Sequence, residues 1–466
     1  MERDELRITA RWLAEAIGGR MLSGDEQQVI GNVTTDTRAL KPGDLFVALR
    51  GARFDGHAFV ASAREQGAIG AIVDERHAEI PWGTTIQVGD TTRALQDFAH
   101  AVRQASSTRV VAITGSAGKT TTKETIAEFL SAKWRVVKNH GNFNNHIGLP
   151  ISLLQLRAKP DVAVMELGMN HAGEISRLIE IAEPDVRVWT NVGDAHIGFF
   201  DSPDAIADAK AEILERAGSA TVLICNADDD RVMRRVAGFR GRTITFGTTR
   251  NAKVRASDVE DRGLQGMRAR LTTPAGERVL DTPLLGRGNL SNVLAASATA
   301  LEFGVALDDI IQKASTLQPA NRRGVVHRLS SGVTLIDDSY NSSPSALRAA
   351  LDVVTRETGA GRRVAALGEM LELGDQSTPL HEELGRTAAA AQLDLLVTVG
   401  GKAAGAMAEA AQAAGMAAGS VSHLDSSDQA ATALVGALRP GDVVLVKGSR
   451  GIRMDVVVDR ILRERG

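Results

Sequence analysis

Cysteine, tyrosine and long apolar runs are what this 466-residue chain has least of. Cys225 is its only cysteine, which excludes an intrachain disulfide and leaves cysteine chemistry no framework for a site. A reducing compartment fits that usage, and a soluble, cytoplasmic protein is expected. Aromatics make up only 3% of the chain and the formal charge is −3. There is thus no basic stripe interleaved with stacking residues, and nucleic acid is not an expected partner. No apolar stretch approaches the roughly 20 residues of a membrane span. The opening residues Met1 to Arg7 are charged where a secretory signal would need an apolar core. What the chain does have is bulk: with 43% apolar residues it can bury several cores, about one per ~150 residues, or three domains.

The most informative segment is Thr114-Gly-Ser-Ala-Gly-Lys-Thr-Thr-Thr-Lys123. It follows the apolar run Arg109 to Ile113 and leads into a helical stretch through Leu130. Gly115 and Gly118 let backbone N–H groups crowd around a triphosphate, with Ser116, Ala117 and Thr121 completing the cradle. Lys119 can reach the terminal phosphates, and the Thr120 hydroxyl can sit on Mg²⁺ at a helix N-terminus. The position five before Gly118 is Ile113 where the full phosphate-loop pattern has glycine, so a shortened loop is expected.

The wider pattern is α/β in three parts. Residues 1–88 read as a small mixed α/β unit with helices over 9–17 and 59–66, a strand over 44–49 and a joint near Ile80-Pro-Trp-Gly83. Residues 89–321 alternate strand and helix, as in a central parallel-sheet, P-loop ATPase-like domain. Strands are expected at 110–114, 162–166, 186–191 and 220–225, with helices at 120–132, 173–183 and 204–216. Residues 242–285 are expected to add an antiparallel flank. Residues 322–466 resume the alternation, with strands near 333–336, 364–367, 395–399 and 443–446, as in a Rossmann-like α/β domain. No repeat of fixed period is present.

Beside the loop, the apolar strand ending at Glu166 puts a carboxylate where a hard divalent cation needs oxygen ligands. His196 follows a strand and Lys210 lies on the next helix. Both can face the same cleft, although such residues are as often packed or solvated. Asn139 to Gly148 carries four Asn and two His, which suits a polar ligand loop or a set of tight turns.

Taken together these blocks resemble the Mur ligases, ATP-dependent amide-forming enzymes of bacterial peptidoglycan synthesis. The shared part comprises the Thr114–Lys123 loop, Asn142, Asn145, Glu166, His196 and Lys210. More specific blocks are Asp337-Asp-Ser-Tyr-Asn341 with Pro344, Gly368 to Gly374, and Lys447-Gly-Ser-Arg450. They are similar to those of the branch that joins D-alanyl-D-alanine to a UDP-N-acetylmuramoyl tripeptide. In the first unit Thr35-Asp-Thr-Arg38, Pro42 to Gly51 and Phe54 to His57 look like the family's loops for the UDP end. The resemblance implies Thr35, Asp36, Arg38, Arg50, Asn142 and Asn145 as substrate contacts, the two arginines offering cations to a diphosphate. It implies Asn292, Arg323, Asp338 and Asn341 as nucleotide contacts, and Arg450 at the reacting groups.

Two departures stand out: Gly288 where the family usually has His, and Arg322 where it usually has Gly, with Arg323 aligned to the family arginine. The resemblance further implies ATP, two Mg²⁺ ions held by Thr120, Glu166, His196 and Lys210, a carbamylated Lys210, and a monomer whose third domain closes on the nucleotide from an open apo state. Diaminopimelate and lysine remain equal alternatives for the tripeptide's third residue. The competing readings are a ligase of the same superfamily, such as a folylpolyglutamate synthetase or a Mur ligase adding a different residue, and a phosphate-loop ATPase or regulatory module that hydrolyses or senses nucleotide and joins nothing.

Overall fold

A computed structural model describes residues 5–466 except 52–53, 78–80, 196, 358 and 360. Its strands follow the β-branched runs. In Arg109–Thr114, everything from Val110 onward is buried. Val110 and Ala112 face a core shared with Phe98 and Met165, while Val111 and Ile113 face another shared with Phe129 and Val293. Burial on both faces is the condition of a parallel strand between two helix layers.

That strand lies within a nine-stranded sheet. From one edge the order is Gly276–Thr282, Met267–Thr273, Val254–Asp261, Arg242–Gly247, Val222–Asn226, Val186–Trp189, Arg109–Thr114, Val162–Glu166 and Val136–Lys138. Because Arg109–Thr114 pairs with Val162–Glu166 on one side and Val186–Trp189 on the other, connections leave it in opposite directions. A crevice opens beyond its C-terminal end, the place where such sheets bind ligands. The flank expected over 242–285 is antiparallel only in part. Arg242–Gly247 and Val254–Asp261 continue the parallel order, and antiparallel pairing begins with Met267–Thr273. The signal there was short β-type runs, which carry no information on strand direction.

The first unit holds a five-stranded sheet in the order Arg20–Ser23, Thr84–Val88, Gly70–Asp74, Leu45–Val47, Val33–Thr34, antiparallel only at the Arg20–Ser23 edge. The expected joint near residue 80 is instead an internal turn. Pro81–Gly83 leads straight into Thr84–Val88, which pairs with two neighbours of the same sheet. Ile80 itself lies outside the described residues. The chain leaves this sheet after Val88, where Asp90 accepts hydrogen bonds from Thr92 and Arg93 and caps the helix Thr91–Ala105.

The third unit carries a six-stranded sheet: Val325–Arg328, Thr334–Asp338, Val443–Lys447, Arg363–Gly368, Leu395–Val399 and Val421–Leu424, parallel except for the first strand. The Ala-rich stretch after Gly401 is the helix Lys402–Ala413, whose small side chains let it pack closely beside Ser377–Ala390. Among the described residues, no helix is long and apolar enough to cross a membrane.

Candidate active site

The loop after Thr114 is shaped by two close approaches. Gly118 has φ +80, and a Cβ there would lie 2.2 Å from Asn292 Oδ1. A Cβ on Gly115 would lie 1.9 Å from Thr190 Oγ1. Only glycine fits either place. Asn191 holds the turn: its carbonyl accepts from Ser116 N–H at 3.0 Å and its Oδ1 from Ala117 N–H at 2.9 Å. The helix Lys119–Leu130 begins at once, so its free N–H groups and positive dipole end face the crevice. Lys119 folds back, donating from Nζ to Gly115 O at 2.9 Å.

Beside it, Thr120 Oγ1 donates to Glu166 Oε2 at 2.8 Å. Asn144 Nδ2 donates to Glu166 Oε1 at 2.9 Å, and Asn139 Oδ1 accepts from Glu166 N–H at 3.0 Å. A hydroxyl and a carboxylate aimed by two amides form an all-oxygen donor set that fits Mg²⁺. Asn139 and Asn144 went unassigned within the Asn-rich loop, since density of amides alone does not say which one turns inward.

Charge is unevenly matched here. Crowding by protein pushes the Lys119 ammonium below its usual range, with Glu166 opposing and Arg323 adding to the shift. Lys210 is 1% exposed and is pushed well below the usual lysine range, first by burial and then by Lys119. Among the described residues Lys210 has neither a hydrogen-bond nor an ion-pair partner for its ammonium. His196 lies outside the described residues.

The third unit supplies the opposite wall of a cleft of about 430 Å³, which Arg323, Asp338, Asn341 and Arg450 line together with Ser116–Thr121, Glu166 and Asn292. Tyr340 was not anticipated. Its ring lies 4.4 Å from the guanidinium of Arg323 and 5.7 Å from that of Arg450, so one π system contacts two cations. Lys447 Nζ donates to Asp338 Oδ2 at 2.6 Å and to Asn341 O at 3.0 Å. Ser342 Oγ is buried in the cleft wall with no partner among the described residues, a group that a ligand oxygen would satisfy.

Other expected residues are placed elsewhere. Asn145 Oδ1 accepts from Ile147 and Gly148 N–H, and Asn142 is exposed; neither lines this cleft. Thr35, Asp36, Arg38 and Arg50 lie in the first unit, also away from it. Arg38 is bound to Asp36 at 2.7 Å, and Arg50 bridges Asp55 at 3.0 Å and Asp74 at 2.8 Å. Asp55, His57 and His77 gather nearby, but the two imidazoles stack at 4.1 Å and His57 Nε2 already accepts from Asp74 N–H. With His57 Nδ1 on Asp55 and His77 Nδ1 on Asp74 as well, the group is tied up as a hydrogen-bond network.

Both departures from the family pattern have a local consequence. Arg322 sits at φ +58, the left-handed region that favours glycine. Its guanidinium is drawn away from the cleft to Asp459 at 2.9 Å. Gly288 lines the cleft, and nothing lies within 4 Å of where its Cβ would be.

A crevice at a topological switch point, a glycine loop under a helix N-terminus, an oxygen set for a divalent cation and a cationic lid define a nucleotide-phosphate-binding enzyme of the α/β class. Comparison with known proteins narrows this. The chain matches the Mur ligase family catalytic domain over residues 29–117, the Mur ligase middle domain over 113–300, and the Mur ligase glutamate ligase domain over 322–450. It is 35% identical to the UDP-N-acetylmuramoyl-tripeptide–D-alanyl-D-alanine ligase of Bacillus subtilis, over 98% of this chain and 99% of that one. The crystal structure of MurF from Acinetobacter baumannii superposes with a TM-score of 0.88 at 33% identity, covering 99% of this chain and 100% of that one. MurF ligase from Thermotoga maritima, solved in complex with ADP, gives 0.82 at 29% identity, covering 93% and 97%. The chain belongs to the Mur ligase family.

Proposed function

We propose that this protein is an ATP-dependent, ADP-forming amide ligase. It joins D-alanyl-D-alanine to the terminal carboxylate of a UDP-N-acetylmuramoyl tripeptide, the last cytoplasmic step in making the pentapeptide precursor of peptidoglycan. The observation that carries this reading is the Lys119–Thr120–Glu166 constellation in a chain that matches relatives of that name from end to end. We assign residues 1–88 to the UDP end of the substrate, 89–321 to the nucleotide and 322–466 to closure over both, in a monomer.

The chemical problem is repulsion, since the tripeptide carboxylate must approach a triphosphate. Lys119 lies beside the loop where it can turn from Gly115 O to the β- and γ-phosphates, and the N–H groups at the start of the helix, from Gly118 to Thr121, add partial positive charge. Thr120 and Glu166 would hold Mg²⁺, which supplies charge neutralisation to the phosphates. Arg323 and Arg450, both in contact with the Tyr340 ring and both lining the cleft, would offer positive charge to the phosphates during transfer. Attack of the carboxylate on the γ-phosphorus releases ADP and yields an acyl phosphate. The dipeptide amine attacks the acyl carbon, and the tetrahedral intermediate expels phosphate. The third unit excludes water meanwhile.

Lys210 is assigned a carbamate that, with His196, would hold a second Mg²⁺. Burial without an anionic partner supports this, because only a neutral amine adds CO₂ and a buried lysine reaches neutrality at lower pH than a solvated one. Phosphate release measured with Mg²⁺, ATP and both tripeptides, ending in diaminopimelate or in lysine, with and without D-alanyl-D-alanine, tests the assignment. Release that ignores the dipeptide in both arms overturns it.

A further inference from the structure

The loop leaving the strand Val186–Trp189 touches two units at once. At its start Asn191 holds Ser116 and Ala117 of the phosphate loop, and the carbonyl of Gly193 accepts from Ser116 Oγ at 3.2 Å. The next residue reaches across to the third unit. Asp194 Oδ1 accepts from Ser345 N–H at 3.1 Å and from Ser345 Oγ at 2.7 Å, and Oδ2 lies 3.4 Å from Arg348 Nη1. Arg348 is itself tied back to Glu383 at 2.9 Å.

The helix receiving this carboxylate, Pro344–Arg356, lacks a side-chain cap of its own: Ser343 at its N-cap makes no cap hydrogen bond. Free N–H groups and a positive dipole end make a helix start the favoured place for a carboxylate. Here the carboxylate comes from another unit, so the helix is capped only while the units are docked. The approach is close on both sides of Asp194. A Cβ on Gly193 would lie 3.2 Å from Ser345 Oγ, and one on Gly198 would lie 2.4 Å from Gly374 N.

We propose that Asp194 is a positioning residue that binds the docked third unit and the seated phosphate loop into one mechanical unit, so that the acyl phosphate forms only where water is shut out. This rests on the ligase reading above. When the latch is loose, water attacks the acyl carbon and the bond from that carbon to the phosphate oxygen breaks. The carboxylate and inorganic phosphate return with loss of a proton to solvent, and the net reaction is ATP hydrolysis.

The test compares Asp194→Ala, Ser345→Ala and the double variant with the unmodified protein, measuring phosphate and amide in the same reactions. Unmodified protein should release equal amounts of the two. Asp194→Ala should lower amide formation on the order of tenfold or more and raise phosphate above amide, with the KM for the UDP-linked tripeptide within about twofold. Ser345→Ala should move both quantities less in the same direction, and the double variant should be no worse than Asp194→Ala alone. An unchanged phosphate-to-amide ratio in Asp194→Ala, or additive losses in the double variant, overturns the inference. If Asp194→Ala does not fold, an unchanged ratio in Ser345→Ala does so. Phosphate release by the unmodified protein that ignores the dipeptide would instead defeat the ligase reading.

Discussion

Lys119 and Lys210, close enough to repel each other, and Arg38 and Arg50 of the first unit are held in opposite ways. Arg38 and Arg50 are already closed on carboxylates, at 2.7 Å on Asp36 for the first and at 3.0 and 2.8 Å on Asp55 and Asp74 for the second. Among the described residues, Lys119 has only a carbonyl oxygen as its hydrogen-bond acceptor and Lys210 has no partner. An unpaired charge away from water is unfavourable in the free protein, and that unfavourable energy is relieved when an anion or a modification arrives. Paired arginines store nothing of the kind: a diphosphate must either share them or displace an acid. Under the proposed function, Lys119 and Lys210 would serve chemistry on anions, and the paired arginines a near-neutral contact with the substrate.

The largest expected effect is at the loop. Lys119→Ala should lower kcat for phosphate release by about 10²- to 10³-fold or more, whereas Arg38→Ala should leave kcat unchanged and raise the KM for the UDP-linked tripeptide less than about tenfold. Steady-state assays on the two variants would erase the contrast if the losses were alike. Next comes Lys210→Ala, which should lose on the order of 10²-fold in turnover and regain part of it when a short-chain carboxylic acid is added. Full turnover without the lysine would remove the second-metal assignment. Lys210→Met sharpens the same point from the stability side, since replacing a buried, partnerless amine by an apolar side chain of similar length should raise the melting temperature by about 2 °C or more while activity is lost.

Smaller effects belong to the first unit. Arg50→Ala should raise the KM for the UDP-linked substrate several-fold, on the order of 1 kcal/mol of binding, with kcat kept; a collapse of kcat would place Arg50 with the cleft cations. The smallest concerns pH. The Asp55 carboxyl is held down to about 2, first by the His57 backbone N–H and then by the His57 ring and Arg50, against the cost of burial. Its contribution to stability is complete above the ordinary carboxyl value of 3.8 and is lost as pH falls through about 2. Melting curves between these limits should be flatter for Asp55→Asn than for the unmodified protein.

The legible part of the site was its contiguous part. Strand, glycine turn, Lys119-Thr120 and helix follow one another within one stretch of chain, and Glu166 ends a short apolar run that reads as a strand. Asn144 was hidden among look-alike neighbours. The contacts of Tyr340 with the two arginines, of Lys447 with Asp338 and of Asp194 with Ser345 were hidden because each depends on a partner from a different part of the chain. Strand direction over 242–261 was hidden for the same reason: side-chain alternation reports burial of a face and is blind to the polarity of the next strand.

The order of residues by itself determined the class of machine. Backbone sterics at Gly118, the reach of Lys119 and the hardness of oxygen ligands are local properties that no packing can reverse. Which charges stay unpaired was decided only by tertiary structure. Burial and distance set the strength of an electrostatic interaction, and these exist for Lys210, Arg50 and Asp194 only once the three sheets have come together.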